Sequence, residues 1–259
     1  MDLSADTDGV AHLNFQPTQI TDSLKLDSKG MILLIETATS VCSVVLSDEN
    51  KILARRQSAE PNAHSSRLAV FVDEVFKEAG VNMSTLDAVC VSSGPGSYTG
   101  LRIGVSAAKG LCFALDKPLL SVPTLQNMAA LYYRQHPEYQ GWVCPMIDAR
   151  RMECYAAIFN RSLEEVKPTS ADIVGTGIYD TYLNEQVVTF VGDGAEKTRE
   201  LLGVHPNAHY DSDYVVSAEG MVNLAVRKLS EGKVEDVAYF VPFYLKDFVA
   251  KKPVVKGLK

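Results

Sequence analysis

Long apolar runs, a basic excess and paired cysteines are all missing from this sequence, and each absence removes a class of function. No run approaches the ~20 apolar residues needed to cross a bilayer. The N-terminal residues are acidic and polar rather than basic then apolar, so neither a membrane span nor a secretory leader is expected. Lys and Arg number 25 against 32 Asp and Glu, a formal net charge of −7; a chain that gripped a polyphosphate backbone unaided would ordinarily be basic. The cysteines Cys42, Cys90, Cys112, Cys144 and Cys154 are odd in number, sit mostly in apolar runs and form no Cys-x-x-Cys. They read as buried, reduced thiols, and the cytoplasm is the expected compartment. Catalytic strings are missing too: no His-Glu-x-x-His, no Walker string and no Gly-x-Ser-x-Gly. His205 and His209 flank Pro206-Asn207, which argues against a helical metal pair. No catalytic residue and no metal site is expected.

What is present is a chain of 259 residues, 46% hydrophobic, large enough for two packed units. Residues 1–30 are rich in aspartate, lack any period and read as an extension outside the folded body. Strands are predicted over 32–35, 41–46 and 52–57, separated by turn residues. A helix over 64–79 follows, with Leu68, Phe71, Val72, Val75 and Phe76 on one stripe and Gly80 at its end. A strand over 86–91, a helix reaching 115, a strand over 119–122 and a helix ending before His136 complete the order β-β-β-α-β-α-β-α, that of a ribonuclease-H-like unit. A second unit begins near 141, with a hairpin over 142–147 and 153–159, a strand over 187–191 and a helix over 195–202. The fold class is therefore α/β, with a first lobe over 31–136 and a second over 137–259. A last helix over 217–232, capped by Ser217, is placed to pack back on the first lobe.

Three turns carry candidate chemistry. Ile35-Glu36-Thr37-Ala38-Thr39-Ser40 offers an acid that could orient hydrated Mg²⁺ and hydroxyls that could hold phosphate, or is an ordinary β-turn. Gly192-Asp193-Gly194 repeats a strand–glycine–helix theme in the second unit. Glu36, Thr37, Thr39, Gly192, Asp193 and Gly194 are thus candidate nucleotide contacts between the lobes. The third turn, Ser92-Ser93-Gly94-Pro95-Gly96-Ser97-Tyr98-Thr99-Gly100-Leu101-Arg102-Ile103-Gly104, reads either as an anion loop or as packing apparatus for the helix it feeds. That helix is apolar on two sides, and Gly104, Ala107 and Ala108 are small enough to admit a neighbouring helix.

The strings 32–39, 94–104 and 108–111, followed in order by Ser121-Val122-Pro123-Thr124-Leu125, Ile147-Asp148-Ala149-Arg150-Arg151-Met152-Glu153 and Val241-Pro242-Phe243-Tyr244, resemble the TsaB (YeaZ) family. These are bacterial subunits required to make threonylcarbamoyladenosine (t6A) in tRNA. The resemblance spans 31 to about 252 and leaves 1–30 uncovered. It implies the two-lobed fold of actin, Hsp70 and sugar kinases (the ASKHA fold), built from two ribonuclease-H-like units. It implies a role as a non-catalytic partner that activates TsaD, which transfers threonylcarbamoyl to adenosine 37 of tRNAs reading codons that start with A. The resemblance further implies that the TsaE ATPase joins the pair, that a homodimer forms when TsaD is absent, and that tRNA is met only through the complex. No cofactor is expected on this chain alone, with ATP or ADP belonging to the complex. TsaD carries an Asn-His-x-x-x-His metal string where this chain reads Pro123-Thr124-Leu125-Gln126-Asn127-Met128, and Glu36 stands where the family pattern usually has Asp. The expected partner surface is the helix pair 64–79 and 98–115, through Leu68, Phe71, Val72, Val75, Arg102, Ala107, Ala108 and Leu111. Arg150 and Arg151 read as solvated turn charge, with an interface or tRNA contact as the alternative. A stand-alone ATP-dependent transferase or kinase of the same fold is the alternative function.

Overall fold

The computed structural model describes residues 30–246. The N-terminal extension lies, but for Gly30, outside them, as do residues 247–259. Two five-stranded sheets organise the chain. In the first, β1 (Met31–Glu36), β2 (Cys42–Asp48) and β3 (Lys51–Ser58) form the predicted antiparallel meander. β4 (Ala88–Ser92) and β5 (Leu119–Val122) extend it in parallel beyond β1. In the second, β6 (Trp142–Asp148), β7 (Glu153–Phe159) and β8 (Glu165–Ile173) are antiparallel. β9 (Val188–Val191) and β10 (Ala208–Asp211) are parallel to β6. The orders β3-β2-β1-β4-β5 and β8-β7-β6-β9-β10 are the same topology used twice, and the protein has the two-lobed ASKHA fold.

Strands buried on both faces read as continuous apolar runs, as Met31-Ile32-Leu33-Leu34-Ile35 does. Leu33 and Ile35 face one side with Val89 and Val91, covered by α1 (Ala63–Ala79) and α2 (Tyr98–Leu115). Ile32 and Leu34 face the other, covered by Ala218, Met221, Leu224 and Ala225. The last predicted helix is thus a 3₁₀ turn, Ala218–Met221, followed by α6 (Val222–Ser230), and it lies on the first sheet. The swap is mutual: α3 (Thr124–Gln135) lays Leu125, Met128, Tyr132 and Tyr133 on Val143, Ile147 and Phe159 of the second sheet. α4 (Asp180–Glu185) and α5 (Arg199–Leu202) cover its reverse face. The helix predicted over 195–202 is a 3₁₀ turn, Glu196–Thr198, and the single turn of α5.

All five cysteines are buried and unpaired. Burial pushes the Cys90 thiol up to about 12, which keeps it un-ionised and unreactive at neutral pH. No helix among the described residues is long and apolar enough to cross a membrane.

Candidate functional site

The glycine-rich string after β4 is a packing device. A methyl group built on Gly96 would stand 2.3 Å from the Ala38 carbonyl oxygen. On Gly100 it would stand 2.1 Å from the Thr37 carbonyl oxygen, and on Gly104 2.1 Å from Thr37 Oγ1. Gly100 and Gly104, four residues apart, share one face of α2 and Gly96 lies just before it, so the start of α2 lies directly on the β1–β2 turn. Four of the backbone donors that an anion loop would offer are already spent. The Ser93 N–H donates to Val122 O at 2.8 Å, and Ser97 N–H to Ala38 O at 2.6 Å. Gly94 N–H donates to Thr124 Oγ1 at 3.1 Å, and Gly100 N–H to the N-capping Ser97 Oγ at 3.2 Å. The anion-loop reading is corrected for that reason.

Glu36 is fully buried beneath the same turn. Its Oε1 accepts from Ala38 N–H at 2.7 Å and from the Ser92 hydroxyl at 2.9 Å, and its Oε2 accepts from Asn127 Nδ2 at 2.7 Å. Burial pushes its pKa above the usual carboxylate value, and those hydrogen bonds offset only part of the rise. Thr37 is also fully buried, its hydroxyl without a partner and pressed on Gly104.

A cleft of about 510 Å³ opens between the sheets. Of the six residues expected to meet a nucleotide, Thr39, Gly192 and Asp193 line it; Glu36, Thr37 and Gly194 do not. Thr39 Oγ1 accepts from Val41 N–H at 3.3 Å. Gly192 (φ +100°) permits a close approach, since a side chain there would meet Met128 Cε and Met146 O, each at 2.5 Å. Asp193 Oδ1 accepts from Asp148 N–H at 3.0 Å, and burial, with the Asp148 charge nearby, raises its pKa. Gly194 donates its N–H to Met146 O at 3.0 Å and is packed on Ile147. The charged side chains in the lining are Asp193, Glu196 and Asp211, with no Lys or Arg among them. An acidic wall without a cation repels a polyphosphate. The contacts of Ser92 and Asn127 with Glu36 are not legible in the sequence; no spacing rule connects them to a carboxylate on a different strand.

The expected partner residues divide in two. Leu68, Phe71, Val72, Val75 and Ala108 are corrected: all are buried in the core between the helices and the first sheet. A helix lying on a sheet gives its most apolar stripe to that sheet, and periodicity reveals the stripe but not what covers it. Arg102 is exposed, and Ala107 and Leu111 are half-buried. Arg102 lies over the Tyr98 ring at 4.1 Å and donates from Nε to the Tyr244 hydroxyl at 3.3 Å. Outside them stand Phe113, 86% exposed, and Val70, 41% exposed. The small-residue surface is likewise corrected at Gly104, which faces Thr37 within the chain.

A strap missed in the sequence borders this face. Residues 233–246 hold no helix or strand, yet Glu235 N–H donates to Leu119 O at 2.8 Å and Phe243 N–H to Ser93 O at 2.7 Å. Lys109 Nζ donates to Ala238 O at 3.0 Å and Phe240 O at 3.1 Å. Tyr244 packs on Tyr98 with ring centres 4.9 Å apart, and Lys246 pairs with Glu153 of the second sheet at 2.7 Å. Tyr239 and Val241 are 83% and 70% exposed on this strap.

The family model described as "TsaD: tRNA N6-adenosine threonylcarbamoyltransferase" matches residues 57–254. The Escherichia coli "tRNA threonylcarbamoyladenosine biosynthesis protein TsaB" is 30% identical over 227 residues, 85% of this chain and 96% of that protein. The chain belongs to the TsaD family, in its TsaB (YeaZ) branch. The TsaB of Bacillus subtilis is 28% identical over 174 residues, covering 66% of this chain and 74% of the relative. The solved YeaZ of Pseudomonas aeruginosa superposes with a TM-score of 0.72 at 28% identity, over 83% of this chain and all of that one. Within this TsaB-family chain, the segment aligned in the sequence reading with the metal string of TsaD is structural. Thr124 Oγ1 accepts from Gly94, Asn127 holds Glu36, and Met128 fills the floor of the cleft against Gly192. Among the described residues, no three His, Cys, Asp or Glu side chains gather at metal-binding distance.

Proposed function

We propose that this chain acts in t6A biosynthesis as a non-catalytic partner of TsaD. The observation that carries this reading lies beneath the β1–β2 turn. There the one acid on the first strand, Glu36, is fully buried and spent on Ala38, Ser92 and Asn127. The relatives' names supply the pathway. The docking face is the outer side of α1 and α2: Val70 and Phe113 exposed, Ala107 and Leu111 half-covered, Arg102 at the N-terminal end, and Tyr239 and Val241 on the adjoining strap. Burial of Phe113 alone contributes on the order of 1.5–3 kcal/mol before ordering costs. TsaE joins the pair, nucleotide belongs to the complex, and the same face pairs two copies of this chain when TsaD is absent. The protein works in the cytoplasm.

The test is reconstitution. TsaD, TsaE, tRNA and threonylcarbamoyl-adenylate are combined with and without this chain, and modified adenosine is measured. Dependence on the chain supports the reading. Threonylcarbamoyl transfer by the chain alone, or tight ATP binding with turnover, would replace it with the kinase-like alternative.

A further inference from the structure

The outer side of α1 and α2 is small for a lasting complex. Eight residues of α1 and six of α2 are exposed, whereas a stable protein–protein interface uses about 20–30 residues a side. A partner seated on these helices therefore covers neighbouring surface as well, and the strap shows which way that surface runs. Beyond Tyr239 and Val241 it carries the exposed Phe243, whose N–H is fixed to Ser93 O at 2.7 Å. Tyr244 follows against Tyr98, and Lys246 Nζ then reaches the second lobe, 2.9 and 2.7 Å from the two carboxylate oxygens of Glu153. Glu153 stands opposite Ile173 in the β7–β8 ladder. Directly opposed residues of antiparallel strands point to one face, with Cβ atoms about 4.5–5.5 Å apart, so Ile173 lies beside the end of the strap. It is 76% exposed, yet its strand end is fixed: the next residue, Val174, is buried and donates its N–H to Met152 O at 2.7 Å. Single exposed apolar residues are ordinary. Ile173 differs in its place, at the far end of a series of exposed apolar side chains that starts at Phe113. Arg150 and Arg151 stand exposed on the adjoining β6–β7 turn, where Arg150 O accepts from Glu153 N–H at 3.1 Å. Apolar centres with a polar rim, enriched in arginine, are the make-up of interfaces.

We propose that the TsaD docking face continues across the strap onto the second lobe and ends at Ile173, so that the partner holds both lobes. The inference rests on the reading that α1 and α2 dock TsaD. An aliphatic side chain on a fixed strand end offers apolar area at little ordering cost. The partner surface that fits it is apolar, with carboxylates placed opposite Arg150 and Arg151.

Affinity for TsaD is measured by titration calorimetry on the full chain. Ile173→Asp is expected to weaken binding about tenfold, and Ile173→Thr, which keeps a β-branched residue on the strand, about two- to fivefold. Val204→Asp is the matched control: Val204 is 80% exposed after α5, on the reverse side of the second sheet, and this variant is expected to bind as the parent does. A photoreactive p-benzoylphenylalanine in place of Ile173 is expected to cross-link to TsaD, and one in place of Val204 is not; this readout does not depend on any change in folding stability. Parent-like affinity of Ile173→Asp, or no cross-link from position 173, in an experiment where Phe113→Asp abolishes binding, would overturn the proposal and leave the helix face standing. Equal losses in Ile173→Asp and Val204→Asp would also overturn it. Parent-like binding by Phe113→Asp would instead refute the helix face itself, so the two failures are told apart.

Discussion

Replacing Gly104 with alanine sets two known effects against each other on one helix. In a helix interior, Gly→Ala gains about 1 kcal/mol from propensity. Against it, the new methyl would stand 2.1 Å from Thr37 Oγ1 and 3.3 Å from Thr37 Cβ, and Thr37 is fully buried. Ordinary contact begins near 3.4 Å, so the turn or the helix has to move, at about 1–3 kcal/mol for an overpacked core site. A net loss of up to ~2 kcal/mol follows, or a melting temperature lower by several degrees for a chain of this size. Gly110, on the exposed side of the same helix, has no atom within 4 Å of such a methyl, and Gly110→Ala is expected to stabilise by about 0.5–1 kcal/mol. Thr37→Ala completes a cycle. It removes a buried hydroxyl that has no partner, and in that background Gly104→Ala should cost at least 1 kcal/mol less than in the parent. Urea unfolding followed by circular dichroism measures the parent and all four variants. Equal gains at positions 104 and 110, or an additive cycle, would refute the claim that α2 rests directly on the β1–β2 turn.

Phe113→Asp is expected to abolish co-elution with TsaD while shifting stability by less than about 0.5 kcal/mol, as an exposed position should; Ala108→Asp, at a fully buried site, should instead prevent folding, which melting curves will separate. On β8, Asp172 is joined by Lys167 at 2.8 Å and by the Tyr179 hydroxyl at 2.6 Å. Burial raises its pKa, but Lys167, Tyr179 and Ser170 outweigh that and hold it below the usual value. The stability it contributes is therefore complete above the unfolded value of about 3.9 and is lost as pH falls through the folded one. Asp172→Asn should cost about 3–5 kcal/mol at neutral pH, with the gap from the parent closing in acid denaturation below about pH 4. Glu36 has the opposite sign: its raised folded pKa makes stability decline as pH climbs from about 4.3 toward the folded value. Glu36→Gln should flatten that decline and leave t6A synthesis intact in reconstitution, whereas a carboxylate needed for Mg²⁺ would make it inactive.

The first lobe is legible because each of its elements obeys one local rule. Turn residues punctuate β1 to β3, one apolar stripe marks α1, and β5 falls where its apolar run does. The second lobe is legible only in part. β8 carries Pro168 and a polar sequence, tolerable because it is an edge strand of its sheet. Nothing in its pattern announces it. β10 is four residues long and half-exposed, and its pairing with β9 is a decision made across the sheet. The strap has no period at all; it is held by backbone bonds to Leu119 and Ser93, partners more than a hundred residues away.

Three residues show why the site is harder to read than the fold. Glu36, Thr37 and Gly104 each match a phosphate-binding vocabulary, and that vocabulary is defined by residue type at a turn. Whether such a turn stays open depends on what arrives from elsewhere. Here Asn127 reaches Glu36 from α3, and the glycine face of α2 closes on Thr37. The same closure seats the start of α2 on the β1–β2 turn through Gly100 and Gly104. A face held in place before docking loses less entropy on docking. Spending the turn on packing and, in the function proposed above, offering the opposite side of α2 to a partner are compatible uses of one arrangement. The glycines at 96, 100 and 104 are the part of the sequence where both are written.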